Sequence, residues 1–264
     1  MSLRNKKLFL FDIDGTIALG DTLFEGSSEL LNYINSIGGK SYFITNNSTK
    51  SGADYVKKFD DAFHLKTTED LFITSGYMTI RFLKNNFANK KIYCLGTHSF
   101  VEELRRNELL VTEGIESDIA CVLVGFDNEL NYRKLEIICE ILSTMEVPFY
   151  ATNPDLCCPV PFGFVPDCGS ICGMIENSTG KSPIYLGKPN ALVVELCMEA
   201  SGFSKDETLV IGDRLYTDIA CGINAGVDTC VLFTGEAKEA DLKTTEYPPT
   251  YHFDTISELL TALR

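Results

Sequence analysis

Leu8-Phe9-Leu10-Phe11-Asp12-Ile13-Asp14-Gly15-Thr16 is the stretch whose reading decides the fold. Its first four residues form a continuous apolar run, which predicts a strand buried on both faces, as in a parallel sheet covered by helices. The run stops on a carboxylate, and a second carboxylate and a Gly-Thr turn come at once after it. In open α/β sheets ligands bind just beyond the carboxyl ends of the strands. An acid pair placed there is a candidate site; a solvated acid pair beside a glycine turn is the plain alternative.

The rest of the chain repeats the pattern. Leu30, Leu31, Ile34 and Ile37 recur at helical spacing, and Gly38-Gly39 supplies a stop. Further strand-length apolar runs stand at 41–44, 92–95, 119–124, 184–186, 208–211 and 229–232, with helical stretches at 133–145 and 191–200. A capping box, Thr255-x-x-Glu258, opens a last helix. Strand–helix alternation of this kind predicts an α/β protein, a doubly wound parallel sheet with helices on both faces.

Three more strands end in polar groups. The run 41–44 leads into Thr45-Asn46-Asn47-Ser48-Thr49, hydroxyls and amides suited to an anion or to an ordinary helix cap. The run 184–186 leads into Gly187-Lys188-Pro189, and the run 208–211 into Gly212-Asp213-Arg214-Leu215-Tyr216-Thr217-Asp218. Each has a bland reading by itself, a surface lysine or helix-start acids. Together they complement one phosphate and one hard cation.

These four segments, in this order, resemble the motifs of the haloacid dehalogenase-like superfamily. Within it, Phe43-Ile44-Thr45-Asn46-Asn47-Ser48, Ala151-Thr152-Asn153-Pro154-Asp155 and Gly187-Lys188-Pro189 resemble the NagD-type, p-nitrophenylphosphatase-like branch. One departure stands at Val165-Pro166-Asp167-Cys168-Gly169-Ser170, where the branch has Pro-Gly-x-Gly-Ser. The resemblance implies an Mg²⁺-dependent phosphatase for small phosphate monoesters: p-nitrophenyl phosphate in vitro, and a sugar phosphate or nucleoside monophosphate as the natural type. It implies Asp12 as the nucleophile that forms an aspartyl-phosphate and Asp14 as general acid and base. Thr45, Asn46, Asn47 and Lys188 are implied for the phosphate. A carboxylate of Asp12, the carbonyl of Asp14 and Asp213 are implied for Mg²⁺, with Asp218 orienting Lys188 or a metal-bound water behind them.

Thr45 and Lys188 stand so far apart that the surplus between them, with its own strands and helix, should form a second domain. The expected division is a core of residues 1–78 and 182–264, with an α/β cap at 79–181 inserted into it. Asn153, Pro154, Asp155 and the 162–170 loop are the candidates for the cap's site-facing surface, and a homodimer through the cap would suit the branch.

Composition narrows the partners. The chain has 264 residues, Lys+Arg 23 against Asp+Glu 37, and a net charge of −14. With no Lys/Arg cluster longer than a pair, a nucleic-acid polymer is not an expected partner. No apolar run approaches the roughly 20 residues of a membrane-spanning helix. A charge at Asp12 breaks the amino-terminal run too early for a signal-peptide core, so the expected location is the cytoplasm. There the ten cysteines are expected as reduced thiols, mostly packed as small hydrophobes. Thr179-Gly180-Lys181-Ser182 ends like a phosphate-binding loop, but Ile175 occupies the position that needs glycine. A carbon–halogen hydrolase would not need the acid at Asp14. A protein of this fold that binds or scaffolds without catalysis is the alternative from another class.

Overall fold

The computed structural model describes residues 3–160 and 162–264; Met1 and Ser2 of the amino-terminal stretch, and Pro161 of the expected cap, lie outside the described residues. The opening run is β1 (Leu8–Phe11), with all four residues buried. Next come β2 (Ala18–Leu19), β3 (Thr22–Leu23), α1 (Ser27–Ser36), β4 (Lys40–Thr45), α2 (Gly52–Phe63), β5 (Phe72–Thr74) and α3 (Ser75–Asn86). The middle of the chain forms β6 (Lys91–Leu95), α4 (His98–Arg106), β7 (Leu110–Thr112), β8 (Ile119–Val124), α5 (Tyr132–Thr144), β9 (Phe149–Ala151), β10 (Cys157–Val160), β11 (Gly163–Pro166) and α6 (Cys168–Thr179). Last come β12 (Ile184–Tyr185), α7 (Leu192–Ser201), β13 (Thr208–Gly212), α8 (Ala220–Ala225), β14 (Asp228–Leu232), β15 (Tyr251–Phe253) and α9 (Ile256–Leu263).

The first sheet has the order β15-β14-β13-β1-β4-β5, and every pairing in it is parallel. From β1 the chain moves out to β4 and β5, then returns to the other side through β13. The strand order therefore reverses at β1, and the crevice at its carboxyl end is where such sheets bind ligands. Side chains alternate across the sheet. Phe9 and Phe11 pack with α1, α2 and α9 residues such as Leu30, Phe59 and Leu259, while Leu8 and Leu10 pack with Val194 and Cys197 of α7 on the other face.

The second sheet has the order β12-β9-β8-β6-β7, also parallel throughout. One face packs against α5 and α6, the other against α3 and α4. Two details differ from the sequence expectation. The run at 184–186 was expected within the core, but Ile184 and Tyr185 pair with Tyr150 and Ala151 of the second sheet. Ile184 is exposed, unlike a strand covered on both faces. The expected boundary at residue 79 falls inside α3, whose Met78 packs in the first core and whose Ile80 and Leu83 pack in the second.

The capping box at α9 is half formed. Thr255 accepts the Glu258 amide (3.2 Å), but the Glu258 carboxylate takes the Asp254 amide instead of that of Thr255. All ten cysteines are free thiols, seven of them buried. Among the described residues, no helix is long and apolar enough to cross a membrane.

Candidate active site

The carboxyl ends of β1, β4 and β13 meet at one point, and Gly187-Lys188 reaches it from β12. Glycine is required where the loops cross. Gly15 has φ +100, and a Cβ there would lie 2.6 Å from Asp213 Oδ2; a Cβ on Gly212 would lie 2.2 Å from that of Asp218. Both positions therefore let acidic side chains approach the backbone closely. A π-helical turn, Leu215–Ile219, comes after β13 and turns Thr217 and Asp218 into the interior; such turns are frequent at functional sites.

Lys188 is 3% exposed. Its Nζ donates to Asp12 Oδ1 (2.6 Å), to Asp218 Oδ1 (2.6 Å) and to the Ile44 carbonyl (3.1 Å). Asp12, Asp213 and Asp218 each offer an oxygen within 4.8 Å of the others. Asp213 is held from behind, its Oδ2 accepting the Glu236 amide and its Oδ1 the Thr16 hydroxyl. Burial, together with the charges of Asp218 and Asp213, raises Asp12 well above the usual carboxylate range against the opposing pull of Lys188. Burial and then Asp218 push Asp213 up to about 7. For Lys188 burial acts downward, but Asp12 and Asp218 outweigh it and hold the ammonium charged. Three buried carboxylates against one ammonium leave an excess of negative charge. That excess, carried by hard oxygen donors, fits a divalent cation such as Mg²⁺.

The expected site residues divide by what they touch. Asp14 is the partly open acid, and Lys58 Nζ of α2 stands 3.6 Å from its carboxylate. Thr45 is buried, with its hydroxyl accepting the Asn47 amide. Asn46, expected for the phosphate, lines the same cavity, and its side-chain amide also meets the backbone of Lys188, donating to the carbonyl (3.1 Å) and accepting from the amide (2.9 Å). It positions the lysine. Asn47 Oδ1 accepts from the amide and hydroxyl of Thr49.

Sequence reasoning missed several members. Tyr55, one helical turn before Lys58, is fully buried; burial and then the Asp14 charge raise its phenol well above the ordinary range. Arg214 binds Asp155 (3.1 Å), Glu236 (2.9 Å) and the Cys157 carbonyl (2.9 Å). It thereby ties the loop after β13 to the hairpin β10–β11. Of the expected cap surface, Asp155 and Asp167 line the same cavity as Asp12, Asp14 and Lys188. Asn153 lies behind them, donating to both, and Pro154 lines a separate cavity.

The site cavity is about 30 Å³, room for roughly one or two waters. That volume is smaller than a phosphate ester. A far larger cavity, about 590 Å³, lies beside β5 and is lined by Tyr42, Tyr77, Glu103 and Glu199 among others, with none of the motif residues. Its charged lining, which includes Lys40, Glu69 and Arg81, is separate from the four motif segments.

Comparison with known proteins agrees with this geometry. A family model described as haloacid dehalogenase-like hydrolase matches residues 9–109, and a second, HAD-hydrolase-like, matches residues 185–259. An acid sugar phosphatase of Staphylococcus aureus (strain MRSA252) is 30% identical, with 99% of each chain covered. The solved structure of 4-nitrophenylphosphatase from Thermotoga maritima superposes with a TM-score of 0.91 at 36% identity, covering 99% of each chain. NagD from E. coli K-12 gives 0.84 at 27% identity, covering 98% of each. With the four motif segments converging at one sheet end and relatives matched along the whole chain, this protein belongs to the haloacid dehalogenase-like hydrolases and is a phosphatase, a phosphoric monoester hydrolase.

Proposed function

We propose that the protein hydrolyses small phosphate monoesters, of the sugar phosphate or nucleoside monophosphate type, through an aspartyl-phosphate on Asp12. One observation carries the reading: Asp12, Asp213 and Asp218 lie within 4.8 Å of one another, and Lys188 bridges two of them. An Asp12 oxygen attacks phosphorus, and the ester oxygen leaves with a proton from Asp14. In the second step Asp14 takes a proton from water as the water oxygen attacks the same phosphorus, releasing phosphate and restoring Asp12. Lys188, fixed by Asn46, places its charge against the transferring oxygens. Asp12 and Asp213, with the Asp14 carbonyl, would hold Mg²⁺, which when bound supplies further positive charge there. Asp218 holds Lys188 in place through its 2.6 Å contact.

The size of the task explains the number of parts. Phosphate monoester hydrolysis is accelerated by enzymes up to about 10²¹-fold, whereas one positioned acid or base gives typically about 10²–10⁴. Orientation and charge must supply the rest. Residues 79–181 serve in this reading as the cap, joined by Ile184 and Tyr185 at its sheet edge, with the core formed by 1–78 and the remainder of 182–264. The test is turnover of p-nitrophenyl phosphate by the full chain with Mg²⁺, with EDTA, and after Asp12→Asn. Turnover lost in both treatments supports the reading; turnover surviving Asp12→Asn refutes the covalent route.

A further inference from the structure

The cavity of about 590 Å³ beside β5 has the size of a small-molecule site, about 300–1,000 Å³, and the hydrolytic scheme leaves it without a task. Tyr42 of β4, Phe72 and Ile73 of β5 and Leu196 of α7 give it an apolar floor. Tyr77 and Arg81, one helical turn apart on α3, and Glu103 of α4 line it as well. Those three, with Glu69, also line the adjoining cavity of about 470 Å³.

The charges in the larger cavity are of both signs: Glu69, Asp70, Glu103 and Glu199 against Lys40 and Arg81. Among the described residues, none of these side chains makes a hydrogen bond or an ion pair. Lys40 lies instead over the Tyr42 ring, 4.8 Å from its centroid. Glu103 is the most enclosed of the acids. Its carboxylate lies against the start of α3, where a Cβ on Gly76 would stand 3.4 Å from its Oε2. Burial pushes it up to about 7 against the pull of Arg106, with Asp54 and Glu69 adding to the rise.

Charged groups of both signs that share one cavity and leave each other unpaired fit a ligand that carries both signs. A simple anion, a phosphate ester included, would meet four carboxylates there. A divalent cation needs acids closer together than these; among the described residues, Asp12, Asp213 and Asp218 are the one group placed to hold an ion. An amine without an acid leaves the Arg81 guanidinium unanswered. We propose that this cavity binds a free α-amino acid with an apolar side chain, its ammonium at Glu103 and Glu69, its carboxylate at Arg81 and its side chain on the floor of Tyr42, Phe72 and Leu196. A guanidinium takes a carboxylate through two parallel N–H bonds. An ammonium brings three donors to acceptors that lack them, and burial of the side chain supplies the apolar part of the affinity. The inference goes beyond the phosphatase reading and does not rest on it, because binding is read without turnover.

The experiment is calorimetric titration of the full chain with L-phenylalanine, phenethylamine, which lacks the carboxylate, 3-phenylpropionate, which lacks the ammonium, and glycine, which lacks the apolar side chain. L-Phenylalanine should bind about 10- to 100-fold more tightly than either single-charge analogue, the range for one lost bond to a charged group, and more tightly than glycine. Arg81→Gln should weaken L-phenylalanine by about that factor and leave phenethylamine unchanged, whereas Glu103→Gln should weaken L-phenylalanine and leave 3-phenylpropionate unchanged. Each variant is judged between two ligands, so general damage cancels. No binding of L-phenylalanine or L-leucine tighter than about 1 mM overturns the inference. So do equal affinities for L-phenylalanine and its single-charge analogues, glycine binding as tightly, equal losses for both ligands in each variant, or displacement of L-phenylalanine by inorganic phosphate, which would place it at Asp12 and Lys188.

Discussion

Lys188→Met removes the ammonium and keeps the length of the side chain, and its consequences can be worked from the contacts. Lys188 lies 2.6 Å from both Asp12 and Asp218, and all three are buried. Removing one partner of a buried ion pair costs about 3–5 kcal/mol, because the remaining charge stays out of water. At about 2 °C per kcal/mol for a chain of this size, Tm should fall by about 6–10 °C. The deficit should depend on pH in a definite direction. The folded pKa of Lys188 is raised, so its contribution is fully present below the ordinary lysine value and does not titrate between pH 5.5 and 8. The carboxylates do titrate. Without the ammonium, Asp12, already raised by burial, takes a proton more readily, and acidification relieves the stranded charge. The Tm deficit, read by calorimetry, should be larger at pH 8 than at pH 5.5. The kcat loss should be about 10²–10³-fold, the worth of one transition-state donor. A deficit that grows on acidification, or an unchanged Tm, would refute the claim that the lysine neutralises these acids.

Asp14→Asn should impair hydrolysis of alkyl phosphates far more than that of p-nitrophenyl phosphate in the first step, because p-nitrophenolate leaves without a proton; a p-nitrophenol burst and then slow turnover is the readout, and equal losses without a burst would exclude Asp14 as the acid. Lys58→Met should act through Asp14, 3.6 Å away, lowering kcat for alkyl phosphates several-fold more than kcat for p-nitrophenyl phosphate, with partial recovery in Lys58→Arg; parallel losses would make Lys58 a packing residue. Asp167→Asn should raise stability by up to about 3 kcal/mol above pH 6 and by less than about 1 kcal/mol at pH 4. A folded pKa raised to about 6 means that the native state holds the proton more tightly, so the wild type loses stability as pH climbs through that window. Urea midpoints at pH 4 and 8 check it, and a pH-independent difference would contradict it.

The features legible in the chain are those that a local pattern determines. The four apolar residues of β1 announce a strand covered on both faces, and the acids after them sit at the carboxyl end of a strand because the strand itself is unmistakable. The run at 184–186 shows the limit. Two paired residues have no periodicity that distinguishes one parallel sheet from another, and only the pairing of Tyr185 with Ala151 assigns it. Asn46 shows a second limit. Its amide is legible as a polar group at a strand end, but the backbone it meets lies 142 residues away, and nothing local announces its contact with Lys188.

Tyr55 and Lys58 were hidden for a different reason. They share α2 with Phe59 and Phe63, whose spacing is fully explained by the core, so a lysine one turn from a tyrosine adds no pattern of its own. Asp167 lies between the two cases. Its departure from glycine was visible, and its meaning was not, because meaning came from Asp155, which the hairpin β10–β11 and Asn153 bring beside it. Arg214 completes the argument. It stands inside the segment that follows β13, yet it joins Asp155, Glu236 and the Cys157 carbonyl. The residue that ties the core loop to the wall of the site cavity is thus one whose partners all come from other parts of the chain. The wall facing the site is held by pairings between loops, whereas the motif residues stand at the carboxyl end of each strand.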